Sequence, residues 1–229
     1  MSRLTIIDLQ NHIGVNADGS FGPKSRDALF AKLSNKNAPP LTNDDLYRMA
    51  QRLGVPVGHI KGIREVEAPR GAFDDRGRPS ILYERHKFRN NTVPVGRFNA
   101  SHPGLSGPAY GPGGYGAYSA QYGKLAAACA LDPEAAFCAC SWGAFQVLGE
   151  NAVTLGYASA YDMAVSLTTG EAAHLETFVR FVEVNHLVEK LQACKPGNPD
   201  SCRAFVSVYN GAGYRDFNYH TKLADAIAA

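Results

Sequence analysis

The sequence predicts a mainly α-helical fold with one short β-element, and three observations carry that reading. Between Glu171 and Leu191, Leu175, Phe178, Val179, Val182 and His186 recur at intervals of three and four with Glu and Arg between them. That is the apolar stripe of a helix lying against a core. Thr42 stands before Asp44 and Asp45 and then Leu46, Met49, Ala50 and Leu53. A threonine hydroxyl accepts an early helical N–H and acidic residues favour the positive helix end, so a capped helix begins there. Only Arg78–Glu84, RPSILYE, reads as a strand, inside a stretch from 73 to 118 that is dense in Gly, Pro and Asn.

Taken in order, residues 1–37 form a small helical unit. Leu9, Ile13 and Val15 are its first apolar anchors, Asp18 to Pro23 turns the chain, and Ser25 to Leu33 is helical with Ala28, Leu29 and Leu33 spaced for one face. Asn37-Ala38-Pro39-Pro40 is a corner, because consecutive prolines resist helix. The Thr42 helix runs to Gly54, and a second helix after Pro56 carries His59 to Ala68 until Pro69 and Gly71 stop it. A long loop, GRFNASHPGLSGPAYGPGGYGAY, comes after the β-element; loops of that length in compact domains are commonly functional. From Ser119 the chain is helical again, interrupted by a small-residue turn in SWGAFQVLGEN, beyond which a helix is expected toward Gly156.

Composition narrows the function. The 229 residues are 45% apolar, enough for a real core. A net charge of +2 leaves no electrostatic footprint for duplex nucleic acid. MSRLTIIDLQNHIGV lacks the apolar run of a secretory signal, and no segment approaches the roughly 20 apolar residues of a membrane span. Synthesis in the cytoplasm without stable membrane insertion is expected, so action outside needs another route of export. Of five cysteines, Cys129, Cys138 and Cys140 sit in an alanine-rich helical stretch that suits buried thiols, and Cys194 and Cys202 flank KPGNPDS, where an oxidising compartment would allow a disulfide. His86, His102, His174 and His186 show no HExxH-type spacing and no GxSxG elbow is present, so neither a metal nor a cofactor is expected.

Two stretches hold residues that the core does not explain. In IKGIREVEAP a helical advance of about 100° per residue puts Glu67 on the stripe of Ile60 and Ile63 and turns Glu65 away. A carboxyl on the buried face should have a raised pKa, which is what a general acid needs. The alternative is a solvated or salt-bridged glutamate, with Arg85 as a candidate partner. In SWGAFQVLGEN, Gly143 and Gly149 would weaken a core helix, and Gln146 carries an amide that must be satisfied if buried. Trp142, the sole tryptophan, either packs beneath this turn or offers a face to a ligand; its large area favours packing.

ADGSFGPKSRDAL in the N-terminal unit resembles the repeat of peptidoglycan-binding domains, of which residues 1–37 would be about half; a docking helix pair without ligand is the alternative. VEAPRGAF, SWGAFQVLGENAVTLG and AFVSVYNGAGYRDFNYHTKLADA give the order Glu, G-x-x-Q, YNxG and a late Tyr. That order resembles the goose-type lysozyme and lytic transglycosylase superfamily. With ILYERHKF and SAQYGKLAAACALD, the chain is similar to the N-acetylmuramidase family of phage endolysins over residues 41–229. The resemblance implies a lysozyme-like α+β fold and a monomer that acts on peptidoglycan glycan strands in the periplasm after a membrane lesion. It makes Glu67 the catalytic acid and Gln146, Tyr209, Asn210, Tyr219, Ser141, Tyr122 and Glu84 the substrate-binding set. Tyr209 or Asn210 would bond near the acid or hold an acetamido group, and Tyr214 rivals Tyr219 as the late tyrosine. The glycines would let main chain approach the glycan. Glu84 is the candidate second carboxylate or a buried structural ion, with Asp74 and Asp75 as other possibilities. Alanine follows Glu67 where the pattern often has serine. The implied reaction is hydrolysis of the β-1,4 bond from N-acetylmuramic acid to N-acetylglucosamine; a lytic transglycosylase or a non-catalytic wall-binding module are the alternatives.

Overall fold

A computed structural model describes residues 3–68, 71–109 and 115–229, so the stop expected at Pro69 and the centre of the long loop lie outside the described residues. Helices α1 (Ile6–His12) and α2 (Pro23–Lys32) open the chain. Thr5 and Asp8 close a capping box on α1. The turn between the helices is built on buried Gln10, whose amide donates to Asp18 Oδ1 (2.9 Å) and accepts from the Gly19 N–H (2.8 Å). Leu9, Leu29 and Leu33 are fully buried in the same apolar cluster as the rest of the chain. The unit is therefore helical but has no core of its own, and Arg3–Asp132 (2.7 Å) and Asn35 Nδ2 to Thr168 O (2.8 Å) tie it down.

Helix α3 (Asn43–Leu53) starts at the Thr42–Asp45 capping box and stops at Gly54, whose φ of 63° is left-handed. Helix α4 (Val57–Glu67) ends where Ala68 leaves helical geometry. Strand β1 is only Ile81–Tyr83, shorter than expected. Arg78 is outside it because a turn takes its backbone: its N–H donates to Asp74 Oδ1 at 2.9 Å and its carbonyl accepts the Asp74 N–H at 2.8 Å, while its guanidinium pairs with Asp74 at 2.7 Å and lies 3.8 Å over the Tyr122 ring. The residues after β1 form helix α5 (Arg85–Asn91), where the sequence pattern suggests only the β-element and loop. Fully buried Phe88 anchors α5 in the core.

Helices α6 (Gln121–Cys129) and α7 (Pro133–Cys138) precede a second departure. SWGAFQVL is a hairpin, with strands β2 (Cys140–Trp142) and β3 (Val147–Leu148) antiparallel in the order β1-β2-β3. Tyr83 faces Cys140 and Ser141 faces Leu148 across the two ladders. A short 3₁₀ turn at Gly143–Phe145 makes the expected small-residue bend, and another at Gly149–Asn151 stands where a helix is expected toward Gly156. Helix α8 (Ala160–Leu167) comes next. The single helix expected over Glu171–Leu191 is two, α9 (Glu171–Val184) and α10 (Val188–Gln192), divided at His186 with φ 53°. Leu175, Phe178, Val179 and Val182 are buried as the periodicity predicts, but His186 is exposed at the break, and the chain is re-anchored beyond it by fully buried Leu187 and Leu191. Helices α11 (Pro199–Tyr209) and α12 (Tyr219–Ala228) end the chain, and α12 packs along α4 and α11.

Trp142 packs: it is 1% exposed, stacks on Phe137 at 5.7 Å and donates its indole N–H to Phe137 O at 3.1 Å. All five cysteines are buried free thiols, and Cys194 and Cys202 lie in hydrogen-bond contact without a disulfide.

Gly149 meets the end of α7 so closely that an added Cβ would lie 2.1 Å from Phe137 O, whereas one at Gly123 in α6 would meet nothing within 4 Å. Gly149→Ala should lower unfolding free energy by about 3 kcal/mol through forced backbone displacement. Gly123→Ala should raise it by about 0.5–1 kcal/mol. Urea unfolding followed by Trp142 fluorescence checks both.

Candidate active site

A cleft of about 760 Å³ is lined by the end of α4, the β1–α5 junction, the β2–β3 hairpin and the end of α11. It brings together Glu67, Glu84, Ser141, Gln146, Tyr209, Asn210 and Tyr219. Tyr122, assigned to the substrate-binding set, is not there. It is 5% exposed, its hydroxyl donates to Pro79 O at 2.7 Å, and it belongs to the packing around Arg78. Asp74 is held by that same Arg78, and Asp75 lies beside it, so neither reaches the cleft. Tyr214 is buried against His220 and is absent from the cleft wall.

Glu67 is the last residue of α4, half-buried, while Glu65 is exposed. Burial pushes its carboxyl up to about 7; the Asn210 amide, donating to Oε1 at 2.7 Å, and the charge of Lys222 pull in the other direction. The negative end of α4 also disfavours a carboxylate at this position. No ion pair to Glu67 exists among the described residues, and Arg85 lies against Gly107 instead. The alternative of a Glu67–Arg85 pair is thereby replaced by a neutral-donor contact.

The adjacent Tyr209 does a different job. Its ring stacks on Phe205 at 5.4 Å and its hydroxyl donates to Phe145 O. Successive residues at the end of α11 therefore hold the acid and the hairpin turn. That turn is strained: Gln146 is left-handed, with φ 46° and ψ 41°. Gln146 Nε2 donates to Gly143 O at 2.8 Å, and Oε1 makes no hydrogen bond among the described residues. Beneath the turn, buried His174 accepts the Ala144 N–H at Nδ1 (2.9 Å), so Nε2 carries the proton and donates to Leu167 O (2.8 Å). A Cβ on Gly143 would sit 2.3 Å from that imidazole. Gly143 and Gly149 thus admit protein neighbours, His174 and Phe137, where the sequence suggested room for a glycan.

Glu84 is held by two hydroxyls: Ser141 Oγ donates to Oε1 at 3.0 Å and Tyr115 donates to Oε2 at 3.5 Å. Ser141 lines the cleft beside Glu84. His86 stands 3.6 Å from Glu84, and burial keeps its imidazole pKa below the usual range. Glu150 brings a third carboxylate, bound by Lys87 at 2.6 Å and Asn91 at 3.1 Å. His86, Glu150 and Phe217 line the cleft without being marked for it by sequence pattern. Glu150 belongs to the same stretch as Gln146, but only the turn shows that it faces the same space. Among the described residues no group of three or more His, Cys, Asp and Glu is arranged to hold a metal ion.

Two groups tie folding to pH with opposite signs. Glu67 binds its proton more tightly folded than unfolded, so its contribution is full below about pH 4.5 and is lost as pH rises through 7. Glu67→Gln should therefore be more stable than the parent by about 2–3 kcal/mol above pH 8, with a smaller difference at pH 5. Burial holds His174 down to about 4, so its contribution is full above pH 6.5 and is lost as pH falls toward 4, costing about 3 kcal/mol. Urea unfolding across pH 4–9 measures both slopes.

A family model described as Muramidase, N-acetylmuramidase, matches residues 56–229. Among solved structures, the crystal structure of Burkholderia AP3 phage endolysin is similar at 29% sequence identity and a TM-score of 0.70, covering 97% of this chain and 93% of that one. No curated protein matches. With a lysozyme-like helical fold, a protonatable glutamate in an open cleft and a family model over three quarters of its length, the chain belongs to the N-acetylmuramidase family and is a glycoside hydrolase of lysozyme type.

Proposed function

We propose that this enzyme hydrolyses the β-1,4 bond from N-acetylmuramic acid to N-acetylglucosamine in bacterial peptidoglycan, with Glu67 as general acid. The observation that carries the reading is a half-buried carboxyl at a helix end, lifted by burial to about 7 and held by Asn210 in the wall of a cleft of about 760 Å³. Glu67 protonates the leaving oxygen as an oxocarbenium-like state develops. Glu84, fixed by Ser141 and Tyr115 in the same cleft, supplies the second carboxylate and activates the water that attacks the anomeric carbon. Oε1 of Gln146, which makes no hydrogen bond among the described residues, accepts from the substrate's acetamido N–H in this reading. Glu84 favours hydrolysis over transglycosylation, in which the muramoyl C6 hydroxyl attacks and no water is needed. The enzyme, made in the host cytoplasm, acts as a monomer on the wall once a lesion opens the membrane; no helix among the described residues is long and apolar enough to cross a membrane itself.

Mass spectrometry of muropeptides released from purified peptidoglycan tests this. Reducing-end muramic acid should appear with the parent and fall by about three or more orders of magnitude in Glu67→Gln. Anhydromuramic ends would assign the chain to transglycosylases, and equal release by both proteins would remove Glu67 from the mechanism. No release by either would leave a wall-binding module. The rate should decline above pH 7 as Glu67 ionises. Asn210→Ala removes a bond that favours the carboxylate, so the alkaline limb of the pH–rate profile should move to higher pH while the maximal rate drops about tenfold from lost orientation.

A further inference from the structure

Large apolar side chains that keep a good part of their surface exposed within a cleft mark a surface that a ligand can cover. Phe217 is 45% exposed and Val208 46% exposed, and both line the cleft that holds Glu67. The backbone holds Phe217 at this wall: the next residue, Asn218, is left-handed with φ 54°, where it turns the chain into α12. Tyr219 comes next on the same wall, its ring centroid 6.1 Å from that of Phe217 at an interplanar angle of 56°. The cleft thus has an aromatic lip beside its polar groups. A β-1,4-linked N-acetylhexosamine carries its large substituents equatorially, so its edges are polar and its ring faces present only C–H. An aromatic face matches such a ring face, while Gln146, Asn210 and the carboxylates match its edges.

We propose that Phe217 is the platform on which one sugar ring of the bound strand stacks, making it a specificity-determining residue that governs how tightly the cleft holds glycan. This rests on the glycosidase reading above. Losing the exposed part of a phenylalanine against a sugar corresponds to about a tenfold change in affinity.

The test compares the parent, Phe217→Ala and Phe217→Trp on soluble glycan strands freed of stem peptides. Phe217→Ala should raise KM about tenfold with a smaller change in kcat, and Phe217→Trp should restore KM. A merely structural role would not be rescued by the larger ring. The tryptophan also reports directly, since Trp142 is 1% exposed and sealed from the cleft. In a Glu67→Gln, Phe217→Trp protein, which holds strands without cutting them, added strands should shift the indole emission, and the same strands should leave Glu67→Gln alone unchanged. A KM for Phe217→Ala within twofold of the parent's overturns the proposal. If the parent releases no reducing ends, the glycosidase reading has failed, which is a different result from a parent that cuts normally and a Phe217→Ala that matches it.

Discussion

The arrangement of the cleft depends on the hydrogen bond from Asn210 to Glu67 and on the helix that delivers it. Asn210 caps the C-terminal end of α11, while Glu67 ends α4, and the two residues are 143 positions apart in the chain. A half-buried carboxyl at the negative end of a helix would otherwise be free to turn toward water, because both its burial and its position disfavour the charge. A single amide donor restrains it without supplying a full countercharge. An arginine in that place would hold the glutamate more firmly and would also hold it ionised, which would remove the proton that the proposed general acid must give. Asn210 thus reconciles orientation with a proton that remains available near neutrality.

The neighbouring residue extends the constraint to the other wall. Tyr209 is gripped by Phe178, Phe181 and Phe205, and its hydroxyl fastens the Phe145 carbonyl immediately before strained Gln146. From below, His174 fastens Ala144. The left-handed Gln146 backbone is unfavourable for a residue with a Cβ, and it persists because the turn is bonded on both sides. One side of the cleft is therefore positioned by a tyrosine–carbonyl bond and a neutral histidine, and Glu67 by an asparagine. These contacts come at a cost to stability: an enclosed glutamate and a buried imidazole each disfavour folding over part of the pH range, in opposite directions.

Legibility in the sequence depends on how local the determinant is. Thr42 with Asp45 and Gly54 marks α3 at both ends, and each signal acts within one helical turn. The stripe through Ile60 and Ile63 separates Glu67 from Glu65 for the same reason, since helical phase is set by neighbouring residues alone. Helix α5 and the β2–β3 hairpin are not legible in this way. Both consist of short apolar and polar runs whose conformation is chosen by partners far away: Phe88 goes where the core receives it, and Trp142, paired with Val147 on one side, is extended against Ile81 of β1 on the other. Tyr122 departs from expectation on similar grounds. Its residue type suits a sugar, yet Arg78 and the Pro79 carbonyl claim it.

The sequence by itself determined the helical class, the capped helices, the phase of Glu67 and, through the ordered Glu, G-x-x-Q, YNxG and Tyr segments, the family. Those are properties of periodicity and of short segments read in order. Only the tertiary structure decided that Glu84 shares a cleft with Glu67, that Ser141 serves Glu84, that Asn210 and Tyr209 divide their tasks between acid and turn, and that the glycines of the hairpin yield to His174 and Phe137. The reason is physical. Burial, which sets the proton affinity of Glu67, and the hydrogen bonds that orient it arise between segments more than a hundred residues apart, and no local pattern records which of them will meet.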